Sequence, residues 1–245
     1  MASSVLPLHS ITFNTHAVDV CLGTSFTSEQ KAAIDDGSFK GLCLDGYWLD
    51  GTRKWRIWGG NWYKNKGDTQ CAKNHLVVMP DDNLLKADGS STHYMNNSDT
   101  TAGGYAGTKL RSTYISQMKN TIAAFFGADH ILSHRELLCN AVNNGKASGW
   151  AWYDSTVEIP SECMMYGTED WANYTDGGAG YNMGTAYPIL PLAMIKPERV
   201  VNRENYWLRD VVAASSFACV IGTGYAAYAG ASNPWGGVRP FFLLS

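Results

Sequence analysis

The segment that decides how this chain is read is its last forty residues. Tyr206-Trp207-Leu208-Arg209-Asp210 stands at one end and Gly236-Gly237-Val238-Arg239-Pro240-Phe241-Phe242-Leu243-Leu244 at the other, enclosing AASSFACVIGTGYAAYAGASNPW at 213–235. The two outer runs are aromatic and aliphatic, suited to buried strands. Each carries one arginine. A buried guanidinium persists only when its donors are paired, so Arg209 and Arg239 are expected to bind backbone carbonyls or acids such as Asp210, Glu162 or Glu204. The enclosed segment holds no Lys, Arg, His, Asp, Glu, Gln or Met. It consists of small residues punctuated by Phe217, Tyr225, Tyr228 and Trp235, the mixture by which paratopes gain contact area at low entropic cost. The plainer reading is a glycine-rich meander whose Ala, Phe and Val alternate into a core.

Outside this segment, Thr27-Ser28-Glu29-Gln30 forms a capping box that predicts a short helix ending before Gly37. Trp48 and Leu49, then Asp50-Gly51, then Trp55, Ile57 and Trp58 predict a hairpin. Residues 76–80 predict a short buried strand and 86–104 a polar loop. A helix is predicted over about 109–126, with Leu110, Tyr114 or Ile115, Met118, Ile122 and Phe125 on one face and Gly127 as its stop. Ser133-His134-Arg135-Glu136 reads as a second capping box opening a helix that runs to Asn144-Gly145. Strand-like runs follow at 150–153 and 157–160, then a glycine-rich loop over 167–184. The expected fold class is α+β, two helices packed on a twisted antiparallel sheet with long irregular loops. Residues 1–25 are expected to form an arm or edge strand, and 26–245 one domain.

The runs Gly46-Tyr47-Trp48, Lys54-Trp55-Arg56-Ile57, Gly67-Asp68-Thr69, Gly103-Gly104-Tyr105, His134-Arg135-Glu136 and Met165-Tyr166-Gly167, with the C-terminal frame, carry a resemblance. Over about residues 40–245 the chain resembles the variable proteins of diversity-generating retroelements, which include phage receptor-binding proteins such as the major tropism determinant and gut-phage structural proteins. The resemblance implies a C-type lectin-like fold with a variable region at about 206–245. In that family adenine-directed mutagenesis randomises codons that cannot yield Lys, Glu, Gln, Met or Trp. The absence of the first four here fits, and Trp235 departs from it. The resemblance implies a noncatalytic virion protein that binds a host-surface receptor, protein or glycan. The ligand surface is expected at Ser215, Ser216, Cys219, Ile221, Gly222, Thr223, Tyr225, Ala227, Tyr228, Gly230, Asn233 and Trp235, supported from beneath by Trp207, Arg209 and Arg239. Tyr228, Trp235 and the 221–223 turn are expected on one contiguous exposed surface. Finding that turn buried against the core, or those side chains on opposite faces, would sink this receptor-binding reading and leave the structural one.

Composition limits the other classes. A chain of 245 residues with 45% hydrophobic content can bury a sizeable core without disulfides or metals. Its net charge of −3 offers no basic field for nucleic acid. No apolar run approaches the roughly 18–20 residues of a membrane span, so no membrane insertion is expected. The N-terminus lacks a signal-peptide pattern, so the chain is expected to stay in the bacterial cytoplasm that makes it unless lysis releases it; display on a virion, tail or capsid, is what the resemblance implies. The six cysteines form no C-x-x-C pair and are expected reduced and mostly buried. His130, His134 and Glu136 superficially suggest a metal site, but the expected helix start at Ser133 separates the two histidines, so no metal or other cofactor is expected. Asn233-Pro234-Trp235 supplies no carboxylate for calcium-dependent sugar binding, and Asp81, Asp82, Asn83 and Asp88 lack a glycine-centred calcium loop. Two further classes remain, a structural head or tail decoration protein and a relative of formylglycine-generating enzymes. Homo-oligomerisation and contacts with other virion proteins are expected by analogy with phage fibres.

Overall fold

The computed structural model describes residues 13, 16–84, 90, 92–173 and 188–245. The expectations for 86–104 and 167–184 fall partly outside these residues, and that for 1–25 mostly so. The fold is mixed α+β, dominated by sheets. Strands β1 (Cys21–Gly23), β2 (Tyr47–Asp50), β3 (Arg53–Gly60), β4 (Leu76–Pro80), β11 (Phe241–Leu244) and β7 (Val157–Glu158) form a six-stranded sheet in that spatial order. β5 (His134–Asn143) and β6 (Lys146–Ser155) make a two-stranded sheet. β8 (Tyr206–Ala213), β9 (Ser216–Val220) and β10 (Ala226–Gly230) make a three-stranded one, with β9 in the middle.

Local signals account for most of these elements. Thr27 accepts from the Gln30 N–H while the Gln30 side chain accepts from Thr27, so the capping box forms and opens α1 (Ser28–Asp35). The β2–β3 hairpin turns at Gly51, φ 59°. A π-type turn, Leu110–Tyr114, leads directly into α2 (Ile115–Phe126), which ends at Gly127. The buried stripe of α2 is Ile115, Met118, Ile122 and Phe126 rather than Phe125. Phe126 meets Trp48, Trp55 and Phe242 at ring-centroid distances of 5.5, 5.8 and 5.2 Å, which seats the helix on the large sheet. The shorter helices are α3 (Glu162–Tyr166) and α4 (Pro191–Ile195).

The second expected helix does not form. Residues 134–143 are strand β5, paired antiparallel with β6 from His134↔Ser155 to Asn143↔Lys146. Asn144 and Gly145 have φ of 49° and 75°, the left-handed pair of a tight hairpin turn. The dipeptide expected to stop a helix instead reverses a strand, and cross-strand pairing outweighs the capping signature at Ser133. The reasoning that separated His130 from His134 changes with it. His134 and Glu136 are two apart on a strand, so they share a face, and His134 Nε2 lies 3.1 Å from Glu136 Oε1.

That face joins β5 to β8 and to the turn that follows β3. Glu136 is fully buried and accepts from Arg209 Nη1 of β8 at 2.9 Å and from the Tyr63 hydroxyl, which follows β3. Burial pushes its pKa up, but Arg209, then His134 and Tyr63, outweigh burial and hold the carboxyl at about 2. A second buried cluster sits at the other end of the large sheet. Arg56 binds Asp45 (2.6 Å), Asp81 (2.6 Å) and Asp19 (3.0 Å), while Lys196 and Arg199 also reach Asp45, at 2.6 and 2.8 Å.

Breaking a buried ion pair from one side leaves an uncompensated charge, so Arg209→Met is expected to destabilise the protein by about 3–5 kcal/mol in urea unfolding. Adding Glu136→Gln in the same chain should recover much of that loss. A double variant no more stable than the single would show that the pair is not the coupling element.

Candidate functional site

β9 and β10 form a regular hairpin, Val220↔Ala226 through Ser216↔Gly230, closed by the loop 221–225. The loop is internally bonded, Ile221 N–H to Tyr225 O at 3.0 Å and Gly224 N–H to Ile221 O at 2.7 Å. It is also tied outward. Gly222 donates to the Asn205 side chain at 2.8 Å, and the Tyr166 hydroxyl donates to Gly224 O at 2.9 Å. The loop is therefore a fixed platform rather than a free tip.

Cross-strand register sorts the side chains. Trp207 pairs with Cys219, and Cys219 with Ala227, so these three share one face of the sheet. Ala218 and Tyr228 pair on the other face. Tyr228 is 50% exposed and packs on Trp171, itself 41% exposed, with ring centroids 4.6 Å apart. Tyr225, at 73%, is the most exposed large hydrophobic residue among those described. Trp235 lies on the Trp207 side, half-buried and stacked on that indole at 6.1 Å. Tyr228 and Trp235 thus sit on opposite faces, and the single contiguous surface expected from the sequence does not exist.

Several expected ligand positions are corrected with it. Cys219 is fully buried and Ser216 nearly so, because β9 is covered on both sides. Ala227 packs against the core. A Cβ on Gly222 would stand 2.9 Å from the backbone Arg203 O, so that position has no room for a side chain, whereas one on Gly230 would meet only the exposed Asp99 carboxylate, at 2.7 Å, which would have to move. Ser215, Ile221 and Asn233 are half-buried, and Thr223 is exposed. What remains accessible is Thr223, Tyr225 and Tyr228, joined by Trp171, which the sequence reading did not single out. Its signal was a tryptophan in a polar, glycine-rich loop, where no core stripe claims it.

The frame residues work as supports, with one change of partner. Arg239 donates to the carbonyls of Pro80 (2.8 Å), Arg199 (2.9 Å) and Val200 (3.3 Å), as expected of a buried guanidinium. Arg209 finds Glu136, not Asp210, Glu162 or Glu204. The Trp207 indole donates to His93 O at 2.6 Å.

Glu162 and Asp210 make a separate acidic pair beneath the aromatic surface. Glu162 is fully buried and its carboxylate accepts from the N–H of Ala172 (2.7 Å) and of Trp171 (3.1 Å), which fixes the backbone that carries the Trp171 ring. Asp210 accepts from the Glu162 N–H at 2.7 Å. Burial, reinforced by the charge of Asp210, pushes Glu162 up to about 7, and burial raises Asp210 to about 6. A cavity of about 20 Å³ beside Arg209 and Asp210 is small enough for a single water at most.

Nothing in this arrangement resembles activated chemistry. All six cysteines are free, and burial raises the thiols of Cys139 and Cys219 to about 11 and 12. His75 donates from Nδ1 to Lys73 O and accepts the Tyr63 N–H at Nε2, and burial lowers its pKa to about 4. Among the described residues no three His, Cys, Asp or Glu side chains gather closely enough to hold a metal ion, and no helix is long and apolar enough to cross a membrane. No family model, curated protein or solved structure matches this chain.

The raised and lowered carboxyls act on stability in opposite directions. Glu162 and Asp210 hold protons in the folded state that the unfolded chain releases near pH 4–4.5, so they subtract stability as pH rises from there through about 7. Glu136 contributes stability above about pH 4.5 that is lost as pH falls towards about 2. Glu162→Gln is therefore expected to flatten the decline in urea midpoint between pH 4.5 and 7. An equally steep decline in the variant would reject this assignment.

Proposed function

We propose that this chain is a noncatalytic binding protein with a C-type lectin-like fold, displayed on a phage virion, whose ligand surface is the outer face of the β9–β10 hairpin. The observation that carries the reading is the aromatic group Tyr225, Tyr228 and Trp171, exposed beside an uncharged segment and fixed at its base by Tyr166, Asn205 and Glu162. Exposed aromatics on a rigid support bury large area with little loss of entropy on binding. Such a surface suits a host-surface protein or glycan, with modest affinity per site raised by many copies on a virion. Diversification by a retroelement belongs to the same proposal, restricted to positions whose side chains have room to vary. Thr223, Tyr225 and Tyr228 meet that condition, whereas Ser216, Cys219 and Gly222 do not.

A second reading is a structural head or tail decoration protein. It is the reading that opposite faces for Tyr228 and Trp235 leave standing from the sequence; because the Trp207 face is packed on the core, the binding proposal is confined to the exposed group Tyr225, Tyr228 and Trp171. The enzyme reading draws no support from the buried, unactivated thiols.

Two measurements test the binding proposal. Fluorescently labelled protein is expected to stain cells of the bacterial host, and Tyr225→Ser/Tyr228→Ser/Trp171→Ser should reduce staining at least tenfold, each change costing within about 0.5–1 kcal/mol of stability. Undiminished staining would transfer the proposal to the decoration reading. Cys219→Tyr, by contrast, should cost about 1–3 kcal/mol by overpacking the sheet, so tolerance at that position would contradict the register assigned here. A reverse-transcriptase gene with an adenine-differing template repeat beside the coding sequence is the genomic counterpart.

A further inference from the structure

On elements other than the β9–β10 hairpin, an open cleft of about 290 Å³ lies between the start of α2 and the corner joining β6 to β7. Its apolar lining is Ile115 and Val157, both buried. Arg111 lines it in a fixed pose. The guanidinium donates from Nε to Glu158 Oε1 at 2.9 Å and from Nη2 to Ser155 Oγ at 3.2 Å, and lies over the Tyr153 ring, 4.9 Å from its centroid. Glu158 is itself locked, accepting from Ser155 Oγ at 2.6 Å and from the Tyr105 hydroxyl at 2.6 Å. Orientation of an arginine by a buried, fully bonded carboxylate is what a preorganised recognition group requires. Among the described residues Nη1 of Arg111 takes no hydrogen-bond partner, and Lys119, on the same cleft, makes neither an ion pair nor a hydrogen bond.

We propose that this cleft is a binding site for the carboxylate-bearing ring of an acidic saccharide. Two positive side chains line it, beside Glu158, which is paired with Arg111, and a largely exposed Asp154, which reaches Arg135 at 3.0 Å. An incoming carboxylate would complete the donors of Arg111 and Lys119 with charge-assisted hydrogen bonds. The hydroxyls of Ser116 and Thr156, unbonded among the described residues, match the ring hydroxyls of a sugar, which both donate and accept. Ile115 and Val157 close the floor of the cleft with little exposed area, so a ring there is held mainly by its polar groups. A cleft of this size admits one ring and leaves its neighbours in a chain outside, which suits a repeating surface polymer held at many low-affinity sites.

The test is a titration of the full-length chain followed by ¹H–¹⁵N NMR, with D-glucuronate, D-glucose and inorganic phosphate as probes. Glucuronate is expected to shift Lys119 and Thr156 amides saturably in the millimolar range, with glucose at least tenfold weaker. Lys119→Ala and Thr156→Val, both at the rim, should weaken glucuronate about tenfold while leaving the remaining spectrum unchanged, a loss equal to one charge-assisted hydrogen bond. Arg111→Gln serves as a further variant, interpreted only if its spectrum stays dispersed. Equal binding of glucose, binding of phosphate alone, or no saturable shift with glucuronate would each overturn the assignment. Loss of host-cell staining in the hairpin variants, with glucuronate shifts retained, would show the two sites to be independent.

Discussion

The Glu136 carboxylate is the one group on which the arrangement of this protein depends. It belongs to β5, yet it is held by Arg209 from β8 and by Tyr63 from the turn after β3, so one buried charge ties two sheets to the segment that leaves the third. A carboxylate with so little solvent stays ionised only when it has a full set of donors. Each sheet therefore constrains the other two. Sliding β5 by one residue would carry Glu136 and His134 to the opposite face and strand Arg209 in the core.

The second cluster does for the other end of the fold what Glu136 does for its centre. Arg56, buried in β3, gathers Asp45, Asp81 and Asp19, and Asp45 in turn draws in Lys196 and Arg199. Arg239 then takes the carbonyls of Arg199 and Val200 together with that of Pro80. Through these contacts the segment before β8 and the segment before β11 are fixed to β3 and β4, the two central strands of the large sheet. The hairpin that projects between them inherits a rigid base, and its exposed tyrosines are positioned by packing they do not themselves make.

Much of this was legible locally. The capping box at Thr27, the turn at Gly51, the stop at Gly127 and the apolar run 76–80 each rest on forces acting within a few residues, and each appears in the structure as read. The failure at 133–144 is equally instructive. Ser133 and Glu136 satisfy a helix-start pattern, and Leu137-Leu138 fit a helix as well as a strand. What decides between them is Asn144-Gly145 together with ten residues of β6 able to pair, a nonlocal partner that no window around Ser133 contains. The acidic pair Glu162 and Asp210 was invisible for the same reason, since the two lie 48 residues apart and meet only when α3 docks on β8.

The sequence by itself determined that the C-terminal region has an apolar frame around an uncharged, aromatic-bearing insert, because composition is a local property and needs no partner to be read. Only the tertiary structure decided which of those aromatics face outward. A strand alternates its side chains between two faces, but which face is covered depends on what packs there. Here Trp207 turns Trp235 towards one side, while Trp171, anchored by Glu162, marks the other and leaves Tyr228 beside it in solvent. Cys219 and Ser216 read as equals of Tyr228 in the sequence and are buried in the structure, since β9 is the middle strand and β10 the edge.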